Sequence, residues 1–95
     1  MACIALGPGA IFVDVQATIL DDLPRRLVIP LEPSSIVGRA VPRLNPVFAI
    51  DGSQFVLLTD QMVSVPTSLL NTPVTSLQVH SDEITSAIDF AFLGF

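Results

Sequence analysis

Eight prolines divide most of this chain into short segments, and they limit its fold more than any other feature. They occur from Pro8 to Pro73, and the runs between them are apolar and rich in β-branched residues. Because proline has no backbone N–H, it interrupts helices and central strands, so segments of this kind form short strands separated by turns. The pattern predicts a mainly β fold, a small antiparallel barrel or sandwich, rather than a parallel sheet with crossover helices.

Individual strands are predicted from alternating or β-branched apolar runs bounded by turn residues. These runs are Ile11–Gln16, Leu27–Leu31, Val47–Ile50, Gln54–Leu58 and Met62–Val65, with a further short strand within Val74–Val79. The pair Asp51-Gly52 between two apolar runs is a strong hairpin signal, so the runs on either side of it are expected to pair. Pro30 is expected to mark the edge or the end of its strand. Ala17–Pro24 and Ser34–Leu44 are expected to be loops, the second of them exposed.

The end of the chain has a helical pattern instead. Ser81 is a good N-cap, and Asp82 and Glu83 follow it in the first turn, where the helix dipole favours acids. Apolar residues at helical spacing then form one stripe, which consists of Ile84, Ala87, Ile88, Ala91 and Phe92. Gly94 is expected to end this helix, predicted over about residues 81–93. His80, just before it, is interpreted as a surface or capping residue rather than a general base.

The length of 95 residues fits one domain, with the barrel over about residues 2–79 ahead of the helix. A chain of this size buries only roughly 60–65% of its unfolded surface. Since 51% of the residues are apolar, some apolar surface is left over. Closed twofold dimers are the commonest soluble assembly, so a homodimer is expected.

The expected location is the cytoplasm. Cys3 is the single cysteine, so an internal disulfide is impossible and nothing requires an oxidising compartment. The uncharged start of the chain lacks a basic residue before it and is interrupted by Gly7, Pro8 and Gly9, unlike a secretion signal. No run reaches the roughly 20 apolar residues that span a bilayer, so no membrane contact is expected.

The charge and the residue types limit the possible functions. Nine acidic residues against four arginines give a net charge of -5. Nucleic-acid binding depends on cations that neutralise phosphates, so direct nucleic-acid binding is not expected and a protein partner is favoured. Solubility of an unusually apolar domain is the simpler explanation of the acidity. With one His, one Cys and no Gly-rich phosphate loop, the sequence predicts no metal site, no cofactor and no catalytic residue.

The apolar residues of the last turns exceed what one core contact needs. Phe90, Leu93 and Phe95 lie beside the predicted stripe. One explanation is a helix sandwiched between the barrel and a dimer partner. The other is an apolar chain end offered to a different protein.

Five collinear blocks of the chain, taken together, resemble the CcdB family of gyrase-poisoning toxins. The blocks are FVDVQ (Phe12–Gln16), RRLVIPL (Arg25–Leu31), LNPVFAIDG (Leu44–Gly52), MVSVP (Met62–Pro66) and AIDFAFLGF (Ala87–Phe95). The resemblance implies a dimer of SH3-like antiparallel β-barrels, each with a C-terminal helix. It also implies a toxin of a type II toxin-antitoxin system that binds the DNA gyrase A subunit. Such a toxin traps the cleaved-DNA complex without catalysing a reaction, and a cognate CcdA-like antitoxin neutralises it.

The resemblance also implies which residues contact gyrase. In the family these contacts come from the terminal tripeptide, the helix before it and the loop after the FVDVQ strand. On this chain the corresponding residues are Leu93, Gly94 and Phe95, then Asp89 on the helix, then Ile19, Leu20 and Asp21 on the loop.

Two departures from the family pattern are present. The better-known members have Trp before the penultimate Gly, where this chain has Leu93. A buried Trp is a typical hot spot, so the exchange is expected to weaken gyrase binding. The N-terminal region is also a few residues shorter, and a shortened first strand is expected to leave a sheet edge exposed or to indicate a start codon further upstream.

Two alternative functions are weighed against gyrase poisoning. The first is a MazF-type endoribonuclease toxin, whose barrel is similar, although four arginines against nine acids are a poor supply of cations for an RNA groove. The second is a degenerate relative that binds an antitoxin but no longer harms gyrase, and Leu93 is its main support.

Overall fold

The computed structural model describes residues 3–7, 10–16, 24–50, 52–70 and 75–94. Its strands and its helix are β1 Cys3–Gly7, β2 Ala10–Asp14, β3 Arg25–Pro33, β4 Val47–Ile50, β5 Ser53–Leu57, β6 Val63–Pro66, β7 Thr75–Ser76 and α1 Ser81–Leu93. Short 3-10 turns at Thr59–Gln61, Thr67–Leu69 and Gln78–His80 connect some of them. The fold is therefore mainly β with one C-terminal helix in the described part of the chain, as predicted.

The strands form one antiparallel sheet in the order β4-β5-β3-β2-β1-β7, and β6 also pairs with β3. The long strand β3 is the centre of this arrangement. It pairs with β2 on one side, and on the other side first with β6 and then with β5. Along this second side, β3 pairs with two different strands at its two ends, and the sheet curls into a half-barrel.

Pro30 lies inside β3, so the prediction that it marks an edge or an end is wrong. The carbonyl of Pro30 accepts a hydrogen bond from the N–H of Leu58 (3.0 Å), which directly follows β5. The backbone carbonyl and nitrogen of Pro30 therefore point to the side of β3 on which β5 and β6 pair. The β6 ladder stops at Val28 and the β5 ladder starts at Leu31. Pro30 therefore lies at the junction of the two ladders, where a missing N–H removes no ladder hydrogen bond.

The hairpin of β4 and β5 is confirmed. Ile50 pairs with Ser53, which leaves two residues in the turn. Gly52 has φ +82°, in the left-handed region that glycine adopts without strain. Asp51, its partner in the predicted turn, lies outside the described residues. The strands predicted on either side are thus correct to within a residue.

The other predicted segments agree in part. The strand predicted at residues 11–16 ends at Asp14, and of the described residues within Val74–Val79 only Thr75–Ser76 form a strand. Ser34–Leu44 is a mostly exposed connection, as expected. β1 was not predicted. It pairs with β2 along Cys3–Gly7 and with β7 at Cys3 and Ile4, so the edge is covered at these two residues, and an exposed edge over the rest of β1 stays a prediction. Apart from Pro24, the loop predicted at Ala17–Pro24 lies outside the described residues.

One apolar core joins the sheet to the helix. It consists of Val13, Ile29, Leu31, Phe48, Leu57, Leu77 and Ile84. Ile84 and Phe48 are among the largest fully buried side chains, and burial of each stabilises the fold by about 1.5–3 kcal/mol. Ile84 belongs to the first turns of α1, so the core fixes the start of the helix against the sheet.

The helix begins at Ser81 with His80 as its N-cap residue, so the prediction that Ser81 is the N-cap is wrong by one position. The chain enters the helix from the 3-10 turn Gln78–His80, which already turns the backbone. His80 makes no side-chain cap; its ring packs on Phe48 (4.7 Å between centroids), and its Nδ1 lies 3.2 Å from a carboxylate oxygen of Glu83. Gly94 ends the helix as predicted, with φ +79° and its N–H donating to the carbonyl of Phe90 (2.9 Å).

Candidate partner-binding site

Only the first half of α1 is covered by the sheet. Ile84 and Ala87 are fully buried and Ile88 is half-buried. Phe92 is 75% exposed and Leu93 is 60% exposed, although Phe92 continues the same apolar stripe. Residues 89–94, which we call the helix end, therefore present large apolar side chains to solvent within a single chain.

The exposure of the helix end has a geometric cause. An open cleft of about 490 Å³ separates the last turns of α1 from the 3-10 turn Thr59–Gln61 and its neighbours. Its walls are Leu44, Thr59, Asp60 and Met62 on one side and Phe90, Ala91 and Phe92 on the other. The last turns of α1 thus line an open cleft, and Phe92 and Leu93 are left mostly exposed there.

The charges on α1 are unevenly distributed. Asp82 and Glu83 occupy the first turn, where the helix dipole favours them, and the helix has no basic residue in its last turn. Asp89 is exposed on the helix end. A positive charge reaches the last turn from outside the helix, since the guanidinium carbon of Arg43 lies 4.6 Å from the centre of the Phe90 ring.

An ion pair joins the end of β2 to the start of β3, the two strands that flank residues 17–23. Asp14 Oδ2 accepts hydrogen bonds from Nε (3.0 Å) and Nη2 of Arg26, and the two side chains are 16% and 13% exposed. The other oxygen of Asp14 accepts from the backbone N–H of Gln16 (3.0 Å). Gln16 in turn accepts from the N–H of Leu27 (3.1 Å), so the chain is fixed just before and just after this segment.

Sequence reasoning did not find this pair. A signal was present, because an acid between the apolar residues Val13 and Val15 in a predicted strand needs a cationic partner if it is buried.

A comparison with known protein families identifies the chain. A family model described as CcdB protein matches residues 8–94 of the 95 residues. The chain belongs to the CcdB family. At the level of the family, its members are toxins of type II toxin-antitoxin systems that target DNA gyrase and act by binding.

The CcdB resemblance placed seven residues of this chain at the gyrase contact, and three of them lie in the described part. Asp89, Leu93 and Gly94 occur together on the helix end. Asp89 and Leu93 are four residues apart, so they lie on the same face of α1. Ile19, Leu20, Asp21 and Phe95 lie outside the described residues, so their proximity to the helix end stays a prediction.

Two further observations concern metal binding and membrane-spanning helices. Among the residues with described positions, no group of three or more His, Cys, Asp or Glu side chains comes together in a way that could hold a metal ion. Within the same part of the chain, no helix has the length and apolar character needed to span a membrane.

Proposed function

We propose that this protein is a type II toxin that binds the A subunit of DNA gyrase, stabilises the cleaved-DNA complex and is neutralised by a cognate antitoxin. The observation that carries the proposal is the exposed apolar helix end on a chain of the CcdB family. Exposed large apolar side chains at one place are typical of protein-binding surfaces. The proposed contacts are Leu93, Gly94 and Phe95 together with Asp89 and the loop residues Ile19, Leu20 and Asp21.

The mechanism requires binding and no chemistry. A ligand shifts an equilibrium only if it binds one state more tightly than the other. The toxin is proposed to wedge between the two A subunits while the DNA is broken, a state in which both surfaces are accessible. Binding then opposes religation. The flexible tail of an antitoxin competes by binding the toxin and displacing it from gyrase.

A homodimer in the cytoplasm is part of the proposal. Large apolar side chains remain exposed on the single chain outside the helix end as well. They include Leu27, Ile36, Val41, Val47, Val63, Leu69 and Val79, which are 43–85% exposed. Burial of part of this surface in a twofold interface is consistent with the expected dimer, which would also present two helix ends to the two A subunits.

The contacts of the arginines argue against the endoribonuclease alternative. Arg26 is paired with Asp14, Arg25 donates to the side chain and the backbone of Ser64, and Arg43 lies over Phe90. Three of the four arginines thus already have partners within the chain. An RNA groove needs several cations free to contact phosphates, so gyrase binding is the better-supported function. Specific RNA cleavage by the purified protein would reverse this preference.

The test is a supercoiled-plasmid assay with purified gyrase and ATP. The protein is expected to cause linear, cleaved DNA to accumulate, visible after detergent and protease treatment, and added antitoxin is expected to suppress it. A reaction without gyrase is the control. If no gyrase tested, including the host enzyme, yields linear DNA, the proposal fails and the degenerate antitoxin-binding relative becomes the better description.

The substitution Leu93→Trp is expected to strengthen gyrase binding by about ten- to a hundredfold, or about 1–3 kcal/mol. Leu93 is 60% exposed, so most of the larger ring stays accessible and adds contact area for the partner. The affinity for the gyrase A subunit is measured by titration calorimetry. The matched control is Leu69→Trp, which adds the same side chain at an exposed position in the 3-10 turn Thr67–Leu69. Equal gains from both variants would show that Leu93 has no specific role.

A further inference from the structure

One contact joins the exposed connection of residues 34–46 to the helix end. The guanidinium of Arg43 lies 4.6 Å from the centre of the Phe90 ring, within the range of a cation–π interaction. Arg43 is exposed and Phe90 is half-buried. The two residues are far apart in sequence, so this contact ties a loop after β3 to the last turns of α1.

Open space lies on both sides of this contact. A cleft of about 300 Å³ separates the first turns of α1 from the connection, and Arg43 lines it together with Pro42, Pro46, Asp82, Glu83 and Ser86. The larger cleft of about 490 Å³ lies under the last turns, and Phe90 is part of its wall. Arg43 lines the smaller cleft and Phe90 lines the larger one, so the contact between them lies between the two clefts.

The geometry of the helix links Phe90 to the proposed binding residues Leu93 and Gly94. The carbonyl of Phe90 accepts the N–H of Gly94 (2.9 Å), which ends the helix in the left-handed conformation. Leu93 follows Phe90 by three residues, so both lie on neighbouring positions of the helix surface. The helix dipole also favours a cation at this last turn. Fixing Phe90 thus fixes the direction in which Leu93 and Gly94 point.

We propose that Arg43 is a positioning residue that holds Phe90 and so orients the helix end for binding to the partner protein. The inference rests on the proposed function, in which the helix end is the gyrase contact. Arg43 acts through Phe90 and does not itself need to touch the partner.

The first test compares variants of Arg43 for affinity to the gyrase A subunit and for stability to urea. Arg43→Gln is expected to lower the affinity roughly two- to fivefold, the size of one exposed cation–π contact, with little change in the urea midpoint. Arg43→Lys keeps the cation and is expected to restore most of the affinity. Arg39→Gln is the matched control, because it removes the same charge from the same exposed connection and is expected to bind like the wild type.

The second test separates positioning from direct contact. In a Phe90→Leu background, Arg43→Gln is expected to have no further effect on affinity, because the ring it acts on is gone. In the Phe90 background, Arg43→Gln is also expected to speed the solvent exchange of the Gly94 amide hydrogen two- to fivefold by NMR, while the Ile88 amide is unaffected.

Either of two results overturns the inference. An equal loss of affinity from Arg43→Gln in both backgrounds would mean that Arg43 contacts the partner directly. An unchanged exchange rate at Gly94 would mean that Arg43 does not hold the helix end. If the wild-type protein does not bind gyrase at all, the proposed function fails, and the exchange rate at Gly94 alone still decides whether Arg43 positions this end.

Discussion

Deletion of Gly94 and Phe95 is expected to abolish gyrase-dependent DNA cleavage while the protein stays folded. Both residues follow the last residue of α1, and the core lies at the other end of the helix, around Ile84. Among the described residues, the deletion removes one hydrogen bond, from the N–H of Gly94 to the carbonyl of Phe90, and it moves the terminal carboxylate next to the helix C-terminus. Together these changes cost about 1 kcal/mol of unfolding free energy, which is small against typical stability.

The expected loss of binding is much larger. One hot-spot residue at the centre of an interface contributes about 2–4 kcal/mol. Phe95 is the residue of the terminal pair that has a large side chain, so removal of the pair lowers the affinity roughly 30- to 900-fold. Cleavage is measured as the amount of linear plasmid at increasing toxin concentration, and folding by circular dichroism and urea unfolding at one protein concentration.

Gly94→Ala is the control for this truncation. It keeps the chain length but places a side chain at φ +79°, where nothing lies within 4 Å of the added Cβ. Its cost is therefore a backbone cost of about 1 kcal/mol, and a moderate loss of cleavage is expected. A truncated protein that poisons gyrase within a few-fold of the wild type would show that the chain end is not the contact.

The sheet was predictable where local signals were strong. The pair Asp51-Gly52 predicted the β4–β5 hairpin because a tight turn needs a residue with positive φ, and Gly52 has it. β1 was missed, because its residues CIALG include alanine and glycine, which have weak strand preference, and show no alternation. Pro30 was misplaced for a different reason. Whether its missing N–H removes a ladder hydrogen bond depends on where the β6 and β5 ladders meet, and sequence does not reveal that junction.

The sequence predicted where the candidate site lies but not which residues of the helix are exposed there. The helix and its end at Gly94 follow from periodicity and glycine, and the family blocks point to Leu93 and Gly94. The same periodicity gives Ile84 and Phe92 equal weight, yet one is fully buried and the other is 75% exposed. The difference comes from the cleft beside the last turns, which depends on tertiary structure. The contact between Arg43 and Phe90 was hidden for the same reason.

The substitution Arg26→Met is expected to destabilise the fold by about 2–4 kcal/mol. It removes both hydrogen bonds that the guanidinium donates to Asp14, and it leaves a carboxylate that is only 16% exposed without its cation. Breaking a buried pair by removing one partner costs about 3–5 kcal/mol, and the remaining solvent access reduces this somewhat. The unfolding free energy is measured in urea at a fixed protein concentration.

Arg25→Met is the matched control, since Arg25 is the adjacent residue of β3 and exposed, with hydrogen bonds only to Ser64 among those described for it. It loses the same charge and is expected to cost less than about 1 kcal/mol.

The double variant Asp14→Asn with Arg26→Met is expected to be more stable than Arg26→Met alone, because no unpaired carboxylate remains in the sheet. The penalty of Arg26→Met is also expected to persist in 1 M salt, since a half-buried pair is screened less than an exposed one. Equal costs for the two arginine variants would mean that the Asp14–Arg26 pair does not hold β2 and β3 together on either side of residues 17–23.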